Sequence, residues 1–221
     1  MIRILFAALL ALVPFAAQAQ TEQQTLVDRS TLVVQEMLGD QNATDARNLL
    51  KRSKGAMVCP RIFKAGFFVG GQGGGCVLVG RGPDGKWSSP AFYSMGSASV
   101  GLQIGVQDAE MIFIVLTEKG LQALLDSQFK FGADASVAVA SIGAGVSGST
   151  TAALRADIVS FAQARGLFAG ISLEGSLLSN KSDWNTAYYG KPIGAQQLVI
   201  GQEGQNQGAA PLQEMLARYA Q

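Results

Sequence analysis

Glycine recurs inside the apolar segments of this chain as well as between them. Gly70, Gly71, Gly101, Gly105, Gly143, Gly145, Gly170 and Gly175 all sit within or against runs rich in Val, Ile, Leu and Phe. Interior glycine weakens a strand and marks a bulge, a sharp bend or a close backbone approach. Repeated this often, it predicts a strongly twisted, curved sheet or a partial barrel rather than a flat one. A hydrophobic content of 48% with only 15% charged residues points to buried strands and not to disorder.

The spacing places the other elements. Leu26, Val27, Leu32, Val33, Val34, Met37 and Leu38 form a helical stripe over 21–38 that Gly39 stops, and a second helix is predicted over 44–53. Strands are expected near 56–59, 66–70, 75–80, 87–94, 98–107 and 110–116, then near 129–132, 136–144, 156–163 and 168–178. Pro83-Asp84-Gly85 reads as a hairpin turn. The glycine run 70–75 reads as a hairpin tip. Residues 118–126 read as a short helix capped by Thr117. Trp184, Tyr188 and Tyr189 fall in an expected loop, followed by a short strand at 198–200. A Gly- and Gln-rich linker at 201–208 leads to a terminal helix within 209–221, where Pro211 suits the first turn. The fold class is therefore α+β: a mainly antiparallel, curved β-sheet or partial barrel with peripheral helices at both termini.

Residues 1–19 read as a cleavable signal peptide. Arg3 precedes an apolar run from Ile4 to Phe15, and Ala17-Gln18-Ala19 supplies a cleavage site before Gln20. The apolar run is shorter than the roughly 20 residues that span a bilayer. This predicts a periplasmic or secreted protein, with 20–221 as one domain whose core is 26–200. Removing Arg3 leaves equal numbers of basic and acidic residues, and a neutral chain without a basic tail argues against nucleic acid as a partner. In an exported chain, Cys59 and Cys76 are expected to form a disulfide. The alternative is two buried thiols.

The chain has no histidine. That removes Ser-His-Asp and Cys-His catalysis and His-ligated metals. Gly80-Arg81-Gly82-Pro83-Asp84-Gly85 fits G-x-G-x-x-G, but Lys86-Trp87-Ser88-Ser89-Pro90 cannot open the helix that would hold a pyrophosphate. Asp108 and Glu110 share one strand face and read as solvated hairpin-end charges, with carboxylate-only hydrolysis a remote option. No catalytic residue, cofactor or metal is expected.

Charge is uneven along the chain. Between Asp40 and Arg81 stand seven basic residues and two acids, with Phe63, Phe67 and Phe68 among them. Lys51, Arg52, Lys54, Arg61 and Lys64 beside these rings form the pattern of a patch for an anionic membrane surface. The alternative is a solvated face above a packed core.

Five segments carry a resemblance. Residues 66–71 (GFFVGG), 87–92 (WSSPAF), 101–105 (GLQIG), 166–175 (GLFAGISLEG) and 185–190 (NTAYYG) resemble, in order, the SYLF domain family over about 26–200. The resemblance implies non-enzymatic binding of anionic phospholipid, here in a bacterial, exported branch. Cys59 and Cys76 are both unusual for the family, which supports a bridge between them. The competing reading is an envelope adaptor or structural protein that binds a protein partner through Trp87, Trp184, Tyr188 and Tyr189.

Overall fold

The computed structural model describes residues 21–66, 69–100, 105–142, 155–166, 173 and 175–221. The signal peptide read over 1–19 lies outside the described residues, as do Phe67 and Phe68 and most of segments 101–105 and 166–175. The chain is α+β, with a curved, partly barrel-like, mainly antiparallel sheet flanked by helices.

Eight strands form one sheet: β1 (Gly55–Gly66), β2 (Val69–Gly80), β3 (Ala91–Val100), β4 (Gly105–Val115), β5 (Gln128–Lys130), β6 (Val137–Ser141), β7 (Ile158–Gly166) and β8 (Leu177–Asn180). Their spatial order is β5-β8-β3-β2-β1-β4-β7-β6, antiparallel throughout except for the parallel pair β6–β7. The order puts β5 and β6 at opposite edges, yet Phe131, just after β5, bridges Ala135, just before β6. Phe131 also lies 5.3 Å from the ring of Phe113 on β4 and 4.9 Å from that of Phe129 on β5. The sheet has therefore curled until its two edges approach.

Side chains alternate between the two faces, as the pleat demands. Ala56, Val58, Val77, Val79, Phe92, Ile112, Ile114, Val159 and Phe161 turn outward to the helices. Met57, Cys59, Cys76, Leu78, Tyr93, Met111, Phe113 and Val115 turn into the curl. On the outer face lie α1 (Glu22–Gly39), α2 (Thr44–Lys51), α4 (Ser182–Tyr189) and α6 (Ala210–Tyr219). The α1 stripe buries Val27, Val34, Met37 and Leu38 at helical spacing, and α6 buries Leu212 and Leu216 beside it. On the inner side pack α3 (Glu118–Leu125) and α5 (Ala195–Val199), through Leu121, Leu124, Leu198 and Val199.

The glycine run 70–75 is not a hairpin tip; it lies within β2, paired on one side with β1 and on the other with β3. The reason is a bulge. Between Val58 and Phe63 β1 carries one residue more than its partners, and Pro60, which cannot donate to the ladder, sits in that bulge. The bulged backbone presses on β2: a Cβ at Gly74 would stand 2.0 Å from the Arg61 carbonyl oxygen. Just beyond the bulge, Cys59 and Cys76 are joined across β1 and β2, with Cα atoms 4.2 Å apart and both residues fully buried.

Two further expectations change. The segment holding Trp184, Tyr188 and Tyr189 is helix α4 and not a loop, and 198–200 belongs to α5 and its cap and not to a strand. The motif residues at 87–92 and 185–190 tie α4 to β3. Asn185 accepts the Phe92 amide at 2.9 Å, and the Tyr189 hydroxyl donates to the Pro90 carbonyl at 2.6 Å. Phe92 meets Tyr188 edge-on at 5.0 Å and Trp184 at 6.2 Å. Ser88 Oγ accepts the Gly80 amide at 2.9 Å, and Ser89 Oγ donates to the Gly204 carbonyl at 2.8 Å.

Candidate binding surfaces

The basic segment predicted from the sequence does not form one patch. An extended strand advances about 3.3 Å per residue, so Lys54 just before β1 and Arg61 within its bulge are roughly 20 Å apart. Lys51, Arg52 and Lys54 gather at one end of the sheet, and Arg61, Phe63 and Lys64 at the other.

At the first end is a groove of about 530 Å³, lined by Lys51, Arg52, Lys54 and Arg81 and by one carboxylate, Glu118. Its geometry follows from local rules. The last carbonyls of α2 carry the negative end of the helix dipole, which favours cations there. Arg81 takes that position, its guanidinium donating to the Leu50 and Lys51 carbonyls while lying 5.7 Å from the Trp87 ring. Arg81 in turn is held by the turn Gly82–Lys86, closed by Gly85 N–H to the Gly82 carbonyl at 2.9 Å, with Gly85 at φ +81°. The G-x-G-x-x-G segment is thus a turn running into the Arg81–Trp87 bridge, with no helix after it. With Arg81 occupied by carbonyls, Lys51 and Arg52 project exposed, and among the described residues neither has an acidic partner. Lys54 stands 4.0 Å from Glu118, with both side chains more than half exposed. The opposite wall is α5: Val199 packs against Gly80, where a Cβ would meet the Val199 carbonyl oxygen at 2.4 Å, and Ile200 is left 43% exposed.

Glu118 is placed by a small polar network. The Thr117 hydroxyl caps α3 by accepting the Gly120 amide at 3.0 Å and donates to Asp157 at 2.7 Å. Asp157 also accepts from the Ser136 amide and hydroxyl, and Lys119 lies 3.6 Å away. The Thr117 hydrogen bond above all, with those from Ser136 and the charge of Lys119, holds the Asp157 carboxyl down at about 2.

At the second end the charges are largely matched. Arg61 forms a two-pronged pair with Asp108 at 2.8 and 3.2 Å, which raises the guanidinium and lowers the carboxyl from their ordinary values. Asp108 is therefore an ion-pair partner and not half of a carboxylate dyad with Glu110. Phe63 is 42% exposed and lies 5.6 Å from the Arg61 guanidinium, while Lys64 is half-buried. Beside them run two shallow clefts under α1, of about 430 and 460 Å³, which share Arg29, Pro60 and Arg61. Leu32, on the rim of the first, is 63% exposed.

The four aromatics proposed as a partner surface are mostly interior. Trp87 and Tyr188 are buried and Trp184 and Tyr189 half-buried, and burial pushes both tyrosine hydroxyls well above their ordinary range. Of the groove's remaining parts, Arg81 was read only as the end of the basic segment and as part of the glycine motif, and Glu118 and Ile200 were not assigned to a site. Only their three-dimensional proximity marks them.

Comparison with known proteins decides the family. Residues 96–219 match the family model described as "Ysc84: Las17-binding protein actin regulator". The chain is 30% identical over 175 residues to SH3 domain-containing YSC84-like protein 1 of Rattus norvegicus, covering 79% of this chain and 51% of that protein. It is 32% identical over 191 residues to SH3 domain-containing protein PJ696.02 of Schizosaccharomyces pombe, covering 85% and 43%. It is 27% identical over 211 residues to Protein YSC84 of Saccharomyces cerevisiae, covering 94% and 45%. The chain belongs to the Ysc84 family. It spans about half the length of the curated relatives it matches.

Membership corrects the expected address. These relatives are animal and yeast proteins, two of them named for an SH3 domain, and the family model is described as an actin regulator. The periplasmic or secreted location is overturned by that finding, and the comparisons give no support to a bacterial exported branch or an envelope setting. With them goes the export argument for the Cys59–Cys76 bond, which now rests on its geometry. The family is characterised by binding and regulation, and the chain is non-enzymatic. Among the described residues, no three His, Cys, Asp or Glu side chains are grouped to hold a metal.

Proposed function

We propose that this chain is an adaptor module that recognises a protein partner of the actin machinery at the groove formed by Lys51, Arg52, Lys54 and Arg81. The observation that carries this reading is the charge imbalance of that groove: four cations line it against Glu118 alone, and two of them are exposed without an acidic partner among the described residues. A cluster held that way by backbone geometry raises the local potential and steers an oppositely charged protein surface. The family description, which names Las17 binding and actin regulation, supplies the class of partner. Co-sedimentation of the chain with actin filaments at low salt tests it. Wild type should pellet with filaments, and the triple variant Lys51→Glu, Arg52→Glu, Lys54→Glu should remain in the supernatant. Equal pelleting of both would remove the groove from the account.

A second reading, binding of an anionic lipid surface, is favoured by Phe63 at the other end. An exposed ring beside Arg61 and Lys64 is the kind of group that enters a membrane interface. Pairing of Arg61 with Asp108 leaves this end less positive than the groove. Sedimentation with phosphatidylserine-containing vesicles separates the readings, because loss on Phe63→Ser with retention in the triple variant would assign the membrane to this end.

A further inference from the structure

Resting on the groove reading above, we infer that the groove takes an acidic peptide segment carrying an aliphatic residue, and that Glu118 competes with it for Lys54. The groove has two chemically different walls. One presents Lys51, Arg52 and Lys54; the other presents Ile200, which lies at the C-terminal end of α5 and is 43% exposed beside buried Val199 and Leu121. A ligand with carboxylates alone would leave the Ile200 wall against water, whereas one with an aliphatic side chain among its carboxylates satisfies both walls.

Glu118 has a separate part. It is fixed at the first position of α3 by the Thr117 cap, in the first turn, where a carboxylate is favoured by the helix dipole. From there it faces Lys54 at 4.0 Å, a distance that marks a loose, exposed ion pair of little intrinsic strength. An arriving carboxylate must share Lys54 with it and feels its repulsion. Glu118 thus weakens acidic ligands and sets a threshold on how acidic a segment must be to dock. Removing its charge should tighten binding, whereas a basic face that docks no acidic segment would show no change.

Fluorescence anisotropy with the purified full chain tests both parts. The probe is a fluorescein-labelled octapeptide of glutamates with two central leucines; the controls are the same peptide with serines in place of leucines, and its lysine counterpart. The leucine peptide should bind wild type, and the lysine peptide should not. The change Lys51→Gln, Arg52→Gln, Lys54→Gln should weaken the leucine peptide by roughly tenfold or more. Glu118→Gln should tighten it severalfold. Ile200→Ser should erase the difference between the leucine and serine peptides, and Arg61→Gln should change nothing. Circular dichroism of each variant checks the fold. Binding indifferent to Glu118→Gln overturns the competitor role, and binding indifferent to the triple change overturns the site. Vesicles of phosphatidylserine captured through the same three cations, with no peptide bound, would make a membrane the occupant and overturn the peptide. If filaments pellet the chain through the groove but the peptide does not bind, this inference fails and the adaptor reading stands. Peptide binding without filament pelleting gives the reverse.

Discussion

Replacing Asp157 by asparagine should loosen the corner on which α3, and with it Glu118, is mounted. Asp157 joins three elements: Oδ1 accepts from the Thr117 cap of α3, and Oδ2 accepts from Ser136, just before β6, while its own backbone amide donates to the Ser136 hydroxyl at 2.9 Å next to β7. The side chain is 13% exposed, but its bonds with Ser136 face solvent, so screening weakens them while the bond to Thr117 is part-buried. Its carboxyl is lowered from 3.8 to about 2. At about 1.4 kcal/mol per unit the shift sets an upper bound of about 2 kcal/mol, and solvent screening brings the contribution of the ionised form to about 1 kcal/mol. The sign follows from the depression. The contribution is complete above about pH 4, where the unfolded carboxyl is ionised, and is lost as pH falls toward 2. Asp157→Asn removes the charge and turns an N–H group toward donors, so it should cost about 1 kcal/mol at neutral pH. Urea denaturation of wild type and variant at several pH values between about 7 and 2.5 measures the difference free of the other carboxylates, which titrate alike in both. The gap should narrow steadily below about pH 4. A gap that stays constant over that range would show that the Asp157 charge is not what ties α3 to β6 and β7.

Three other changes probe the scaffold. Gly74→Ala drives a Cβ toward the Arg61 carbonyl and should destabilise by about 1–3 kcal/mol in thermal melts; a neutral result would mean the β1 bulge yields freely. Asn185→Ala leaves the buried Phe92 amide without its acceptor and should cost about 1–3 kcal/mol by urea denaturation, with no loss if water replaces the amide oxygen. Cys59→Ser opens the link across β1 and β2 and should cost about 2–4 kcal/mol against the unreduced protein, whereas equal stability would mean that the bond is absent in solution.

The fold was legible where side chains carry period and chemistry. The α1 stripe, the Thr117 cap and the Pro83-Asp84-Gly85 turn were all readable, because each rests on a local rule. Glycine defeated the same approach at 70–75: without side chains the run shows no alternation, and only the bulge across the ladder reveals it as strand. Helix α4 was missed because Trp, Thr and Tyr are poor helix formers, and its position is decided by Asn185 and Tyr189 bonding to β3. The basic cluster misled for a geometric reason. Residues seven apart, such as Lys54 and Arg61, would share one helix face about 10 Å apart but lie roughly 20 Å apart along a strand. The Arg61–Asp108 pair spans 47 residues, so no local pattern could show that Arg61 is neutralised.

The adaptor account places its partner at the groove of α2, the β2–β3 turn and the start of α3. Amide hydrogen exchange of the full chain with and without actin filaments reads that footprint directly. Protection should rise at residues 51–54, 81–85 and 118–121 and stay unchanged at 61–64 and 72–75. Protection confined to the second group, with the groove exchanging as in the free chain, would contradict the account.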